Sequence, residues 1–182
     1  MVYLDNNATT PLDPAVADKM CGFLREHFGN PSSLYPIGRQ VKEMLNEARE
    51  HVAKAVGADK SEIVFTGSGT EADNHAILGV LEAFPERPEF VTSTIEHPAV
   101  QETALFLEKK GVRVAYVPVD RTGLLDLAAL EDAVTDRTAL VSVMYANNEI
   151  GTINPVRDIA EICRTNHILF HTDAVQAAAY LP

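Results

Sequence analysis

The chain has 182 residues, of which 46% are hydrophobic and 23% charged, as is typical of a globular protein with one sizeable core. Its 15 basic and 26 acidic residues give a net charge of −11, which argues against binding to nucleic acid or to an anionic membrane. No apolar run is long enough to span a bilayer and no signal-peptide pattern is present. We therefore predict a cytoplasmic protein whose ligands are small molecules or other proteins.

Two helical patterns come first in the chain, over 14–28 and 38–56, and strand and helix signals alternate after them. Short apolar runs predict strands over 62–65, 90–92, 112–119, 140–144 and 168–170. Helical periodicity predicts helices over 70–84, 98–110, 127–134 and 156–166. Repeated βα units of this kind predict an α/β fold, with a mostly parallel sheet and helices on both of its faces. We divide the chain into an N-terminal helical segment, 1–60, that packs on a large α/β domain, 61–182.

A glycine-containing loop, Gly67-Ser68-Gly69-Thr70, lies between the strand predicted over 62–65 and the next helix. Its glycines let the backbone approach a ligand closely, and the helix N-terminus offers unpaired N–H groups to an anion. Ser68 and Glu71 also fit a capping box, which would explain the loop without any ligand. A dinucleotide-binding pattern, G-x-G-x-x-A, fits as well, although the next strand does not end in the carboxylate that such a site needs. A monophosphate ligand is the reading that we favour.

Polar residues follow three further predicted strands, at His97, Asn148 and Asp173. Each has an ordinary explanation: His97 can begin a helix, Asn148 can form a turn, and Asp173 can cap a helix. However, the carboxyl ends of parallel strands meet at one edge of a sheet, which is where ligands bind in open α/β folds. A carboxylate there can hold a cationic ring nitrogen, as a pyridoxal phosphate site requires. Their convergence favours a functional site at this edge.

Six segments of the chain together resemble the N-terminal half of a cysteine desulfurase of the NifS/IscS type, within the class V aminotransferases of fold-type I. They occur in the order found in that family and reach from one end of the chain to the other. The segments are Tyr3-Leu4-Asp5-Asn6-Asn7-Ala8-Thr9-Thr10-Pro11, Phe28-Gly29-Asn30-Pro31-Ser32-Ser33, Gly69-Thr70-Glu71-Ala72-Asp73-Asn74, Glu96-His97, Asn147-Asn148-Glu149-Ile150-Gly151 and His171-Thr172-Asp173-Ala174-Val175-Gln176.

The resemblance implies pyridoxal 5'-phosphate as the cofactor and no metal. It implies that Thr70 and the Gly69 backbone bind the cofactor phosphate. It further implies that His97, the one catalytic residue that we assign to this chain, stacks on the pyridine ring, and that Asp173 pairs with the ring nitrogen.

Two amides complete the implied cofactor site. Asn148 and Gln176 would bond the oxygen substituent of the ring, and Asn148 would also meet the substrate carboxylate. His171 shares a strand face with Asp173, and we expect a supporting or packing role for it.

The implied reaction removes sulfur from L-cysteine and leaves alanine and a persulfide, which supplies Fe–S cluster assembly or other sulfur-transfer pathways. In the family, the Schiff-base lysine and the nucleophilic cysteine come after the aspartate motif, and neither is found in this chain. We therefore expect the small C-terminal domain to be absent and this chain to be inactive alone.

We also expect a homodimer, a complementary C-terminal chain or both, together with a sulfur-acceptor protein. Two alternatives stay open at this point. One is a related class V enzyme, such as a selenocysteine lyase or an aminotransferase. The other is a non-catalytic binding or scaffold protein.

Overall fold

The computed structural model describes residues 2–6, 9–178 and 180, which fall into two units, Met1–Phe65 and Thr66–Pro182. Asn7 and Ala8, which belong to the first of the family-like segments, lie outside the described residues. The described residues form six α-helices, four strands and one short 3₁₀-helix. The helices are α1 Pro14–Glu26, α2 Pro36–Val56, α3 Gly69–Ala83, α4 Pro98–Lys109, α5 Leu127–Ala133 and α6 Val156–Thr165; the strands are β1 Glu89–Ser93, β2 Arg113–Val117, β3 Thr138–Ser142 and β4 Leu169–His171.

The first unit is helical, as its sequence pattern predicts. Asp13 caps α1 by accepting the Ala15 N–H at 2.8 Å, and a proline then occupies the first turn, where its missing N–H is not needed. The second helix, α2, ends at Gly57, whose φ of 71° lies in the left-handed region that glycine tolerates.

The prediction of a strand over 62–65 is wrong. A 3₁₀-helix occupies Lys60–Glu62, and Val64 is 64% exposed rather than buried in a sheet. The reason is a reciprocal cap: the Asp59 side chain accepts the Ser61 N–H at 2.8 Å, and the Glu62 carboxylate accepts the Asp59 N–H at 2.7 Å. Two satisfied backbone donors outweigh the β-propensity of the short apolar run that follows.

The second unit contains a parallel sheet with the strand order β2-β1-β3-β4, which confirms the predicted α/β fold. The chain leaves β1 through α4 toward β2 and leaves β3 through α6 toward β4. The first connection leads to one edge of the sheet and the second to the other edge. The strand order therefore reverses between β1 and β3. Ligands bind at such a switch point in open α/β sheets, outside the carboxyl ends of the strands.

Two hydrophobic layers cover the sheet, one on each face, because adjacent residues of a strand point in opposite directions. Phe90 of β1 packs with Ile77 of α3 and Val100 of α4, whereas Val91 packs with the α5 and α6 side. Leu130 is a fully buried member of that second layer. The predicted placement of helices on both faces is therefore confirmed.

A buried carboxylate, Glu89, begins β1 at the amino edge of the sheet, and basic groups compensate it. Arg113 and Arg137 approach it at 3.3 and 3.7 Å, and the Thr135 hydroxyl donates to it at 2.7 Å. These bonds hold the pKa of Glu89 below its usual value, with the Thr135 bond contributing most. The charge of Glu89 at this edge of the sheet is thus compensated.

Replacing Leu130 with alanine tests the second layer. We expect Leu130→Ala to lower the free energy of unfolding by about 3 kcal/mol, because it removes buried methyl groups and leaves a cavity. Leu105→Ala is the matched control, since Leu105 is 43% exposed and its truncation should cost less than about 1 kcal/mol. Urea unfolding of both variants checks this, and equal losses would contradict the assigned core.

Candidate functional site at the carboxyl edge of the sheet

Hydrogen bonds join the segments that follow β1, β3 and β4. The Asn147 side-chain amide donates to the Ile95 carbonyl at 3.0 Å, and so links the segment after β1 to the one after β3. The Thr172 hydroxyl donates to the Val143 carbonyl at 2.8 Å, and the Tyr145 N–H donates to the Asp173 carbonyl at 2.9 Å. The three segments that carry His97, Asn148 and Asp173 therefore form one connected rim.

The glycine loop begins α3 at the same edge. Ser68 caps the helix by accepting the Glu71 N–H at 3.1 Å, but the Glu71 carboxylate accepts from Gly67 rather than from Ser68, so only half of the predicted capping box forms. The N–H groups of Gly69 and Thr70 belong to the first helical turn and have no intrahelical acceptor. They are therefore available to an anion, which the helix dipole also favours.

The dinucleotide-binding alternative does not fit this loop. That motif requires a strand directly before the glycines, so that the turn joins the sheet to the helix. In the described structure the segment before Gly67 is not part of any strand.

Thr70 and His97 line a single cavity of about 380 Å³, between the N-terminal ends of α3 and α4. Asn74 and Thr103 line it too and connect the two helices. The Asn74 amide donates to the Thr70 carbonyl at 2.8 Å, and the Thr103 hydroxyl lies 2.8 Å from the Asn74 Oδ1 atom. The volume lies within the range of small-molecule sites. The structure thus brings together the predicted phosphate residue and the predicted ring-stacking residue.

His97 has the ordinary role that the sequence offers as well as a place in the cavity. Its Nδ1 atom accepts the Ala99 N–H at 3.1 Å, so the ring caps α4. A neutral imidazole that accepts through Nδ1 carries its proton on Nε2. The cap therefore fixes the ring and leaves Nε2–H as a donor.

The loop that carries Asp173 packs against the glycine loop. A Cβ atom at Gly69 would lie 3.0 Å from the Val175 side chain, a tight contact that shows how closely the two loops approach. The Asp173 carboxylate accepts the Val175 N–H at 3.0 Å. Its negative charge adds to the rise in the pKa values of Asp73 and Glu96 and partly offsets the lowering of the pKa of His171 by burial.

Glu96 is a buried carboxylate, 3% exposed, that the sequence reasoning left without a role. It accepts the Met144 N–H through both of its oxygens, at 3.1 and 3.0 Å, and bonds closely with the Ser93 hydroxyl. Burial raises the pKa of Glu96 to about 7, despite these bonds, and the negative charges of Asp173 and Asp73 add to the rise. No arginine or lysine of the described chain forms an ion pair with it.

A second missed carboxylate, Asp73, lies on α3 near His171. The Asp73 Oδ1 and His171 Nε2 atoms are 3.6 Å apart, and His171 Nδ1 shares a 2.8 Å hydrogen bond with the Ser142 hydroxyl. Burial, followed by the charge of Asp173, raises the pKa of Asp73 to about 6. Burial also lowers the pKa of His171. His171 thus bonds to the end of β3 and lies close to α3, and its supporting role toward the site stays a prediction.

The two predicted amides, Asn148 and Gln176, are half-buried in turns after β3 and β4. Asn147 forms the first of these turns by accepting the N–H groups of Glu149 and Ile150 at 2.8 and 3.0 Å. The roles of Asn148 and Gln176 toward a cofactor stay predictions.

The family described as aminotransferase class-V matches residues 2–182. Cysteine desulfurase IscS of Clostridium botulinum is 50% identical over 181 residues, which are 99% of this chain and 46% of that protein. A solved NifS-like protein superposes with a TM-score of 0.94 at 45% identity, covering 100% of this chain and 50% of the other. A second solved structure, SspA in complex with cysteine, has a TM-score of 0.92 at 35% identity, covering 97% of this chain and 51% of the other. The chain thus spans about half the length of the curated relatives it matches.

The raised pKa of Glu96 gives a testable pH dependence. Between the unfolded value of 4.5 and about 7, the folded chain binds this proton more tightly than the unfolded chain, so the unfolding free energy falls as pH rises through that window. The full effect is about 3 kcal/mol, at 1.36 kcal/mol per unit of pKa. Urea unfolding at pH 5 and pH 8 should show that Glu96→Gln removes this contribution to the fall in unfolding free energy.

Glu131→Gln is the control for this experiment, because Glu131 is an exposed residue of α5. Glu131→Gln should leave the difference in unfolding free energy between pH 5 and pH 8 unchanged. A Glu96→Gln variant with the same pH dependence as the unmodified chain would contradict the buried, uncompensated carboxylate.

Proposed function

Because the chain belongs to the aminotransferase class-V family, we propose that its second unit is the pyridoxal 5'-phosphate-binding part of a cysteine desulfurase. Such an enzyme removes sulfur from L-cysteine, leaves alanine and a persulfide, and feeds sulfur to Fe–S cluster assembly or other transfer pathways. The cysteine complex of SspA supports cysteine as the substrate class. The desulfurase names of the similar proteins favour this function over a selenocysteine lyase, an aminotransferase or a scaffold.

One observation carries the proposal: the residues assigned to the phosphate, the ring and the ring nitrogen lie at the carboxyl edge of one sheet. Thr70 and His97 line the same cavity, and the loop of Asp173 packs onto Gly69. A phosphate at the α3 N-terminus, a flat ring beside His97 and a carboxylate for a cationic nitrogen match the parts of pyridoxal 5'-phosphate. The residues present therefore fit this cofactor.

Each residue has a distinct task in this proposal. When bound, the cofactor supplies an electron sink for negative charge at the substrate α-carbon. Asp173 holds the proton on the ring nitrogen, and Thr70 with the Gly69 N–H anchors the phosphate. His97 covers the ring and offers Nε2–H to the reacting groups. Asn148 and Gln176 would bond the ring oxygen.

The lysine and the thiolate of the reaction are assigned to polypeptide outside this sequence. No lysine lines the cavity among the described residues of the second unit, and Lys109 lies at the far end of α4, about 17 Å from its first residue. Cys163 is buried, and burial raises the pKa of its thiol to about 11, which leaves it without thiolate character at neutral pH. Cys21 is exposed on α1.

The partners follow from the same assignment. The complete enzyme would need the complementary half, in the same or a separate chain, a sulfur-acceptor protein and a second copy as a homodimer. No helix in the described part of the chain is long and apolar enough to cross a bilayer. The cytoplasmic location stays a prediction from composition.

Loss of the nitrogen-binding carboxylate tests the function. Asp173→Ala should weaken binding of pyridoxal 5'-phosphate by roughly 10- to 100-fold, because a charge-assisted bond is worth about 1.5–3 kcal/mol. Absorbance and fluorescence titrations of the purified chain measure this.

Asp126→Ala is the matched control for that titration. The Asp126 carboxylate also accepts a nearby backbone N–H, that of Ala129 at 3.1 Å, but it does so at the start of α5. The control should bind the cofactor as the unmodified chain does. Equal affinities of Asp173→Ala and Asp126→Ala would contradict the assignment of Asp173.

Borohydride reduction tests the absence of a cofactor lysine. The cofactor should change its absorbance on mixing with the chain, yet reduction should leave no covalent adduct in the intact mass, because no lysine lines the cavity. A stoichiometric adduct that maps to one lysine would contradict this assignment.

A further inference from the structure

A buried carboxylate begins strand β1 and another follows its end, and the two differ in their partners. Glu89, at its start, has two arginines and the Thr135 hydroxyl as partners. Glu96, three residues beyond its end, has the Ser93 hydroxyl and the Met144 N–H instead. A buried charge that lacks a cationic partner is costly. Such a cost is expected where function rather than stability determines the residue.

The partners of Glu96 lie on both sides of the switch point. Ser93 is the last residue of β1, and Met144 lies two residues past the end of β3. One carboxylate therefore joins the ends of the two strands between which the chain order reverses. The Asn147 amide adds a second link, to the Ile95 carbonyl at 3.0 Å.

His97 directly follows Glu96 and begins α4. The turn of residues 94–97 is thus held on one side by Glu96 and on the other by the cap that His97 makes to Ala99. A displaced Glu96 would move the backbone that carries the imidazole. The imidazole would then shift within the cavity that it lines.

We propose that Glu96 is a positioning residue, which fixes the turn carrying His97 against the segment after β3 and thereby sets the position of the imidazole in the cavity that it lines with Thr70. This inference rests on the proposed function for the identity of the cofactor, but the contact itself belongs to the chain without cofactor. Glu96 acts through hydrogen bonds, so a neutral isostere that keeps them should replace it.

Ionisable groups surround Glu96 from two other elements. The charges of Asp73 on α3 and of Asp173 in the segment after β4 disfavour ionisation of Glu96. His171 lies beside Asp73, and His97 follows Glu96 in the chain. A protonated Glu96 can donate to the Ser93 hydroxyl while its other oxygen accepts from Met144, so the contact survives in either protonation state.

Three variants test the proposal. Glu96→Ala removes the contact, Glu96→Gln keeps an acceptor for Met144 and a donor for Ser93, and Glu89→Ala removes the other buried carboxylate of β1 at the opposite edge. We expect Glu96→Ala to weaken pyridoxal 5'-phosphate binding about tenfold, as loss of a hydrogen-bonded carboxylate predicts. Glu96→Gln should stay within about threefold of the unmodified chain. Glu89→Ala should lower the melting temperature without changing the affinity.

Two measurements without cofactor accompany the titration: hydrogen exchange of the Met144 amide and the ring resonances of His97. Glu96→Ala should speed the Met144 exchange about tenfold and shift the His97 resonances, whereas Glu96→Gln and Glu89→Ala should change neither. If Glu96→Ala does not fold, Ser93→Ala can replace it, because it removes only one hydrogen-bond partner of Glu96. We expect Ser93→Ala to change the Met144 exchange and the His97 resonances in the same direction but by less.

The outcomes separate this inference from the proposed function. Unchanged Met144 exchange and His97 resonances in Glu96→Ala overturn the positioning role, and so does an equal loss of affinity in Glu89→Ala. If the unmodified chain binds no cofactor at millimolar concentration, the proposed function fails. The Met144 and His97 measurements then decide the positioning role by themselves.

Discussion

Parallel pairing of β1 with β3 is the constraint on which the site depends. It directs the carboxyl ends of both strands to one edge, while their connections through α4 and α6 leave toward opposite sides. Hydrogen bonds of Glu96 and Asn147 join the segments that follow these strands. The places of His97 and Asp173 at this edge follow from this geometry, since each comes after a strand of the parallel sheet.

The two edges of the sheet differ in charge compensation. At the amino edge, arginines surround Glu89 and keep its pKa low. At the carboxyl edge, Glu96 and Asp73 are buried beside the charge of Asp173, and their pKa values rise. The first arrangement stabilises the folded chain near neutral pH, and the second weakens it. Perturbed carboxyl groups in a crevice are typical of a functional site, and a bound cation at Asp173 would offset part of their repulsion.

The sequence predicts the fold and part of the site because backbone rules determine both. Apolar strands that alternate with helices require a parallel sheet, and that sheet brings residues such as His97 and Asp173 to one edge. The strand over 62–65 fails because the mutual cap of Asp59 and Glu62 is a side-chain effect that strand propensity does not include. Glu96 and Asp73 have no special spacing, so only their burial and partners reveal them. The sequence offers one indication of a role for Glu96, which is that it directly precedes His97.

We propose above all that this edge holds pyridoxal 5'-phosphate, with its phosphate at the α3 N-terminus and its ring nitrogen at Asp173. A crystal structure of the chain with the cofactor tests it most directly. We expect the phosphate on the Gly69 and Thr70 backbone, the ring beside His97 and the ring nitrogen within hydrogen-bonding distance of the Asp173 carboxylate. A bound cofactor whose ring nitrogen faces solvent, or whose phosphate lies away from the α3 N-terminus, would contradict it.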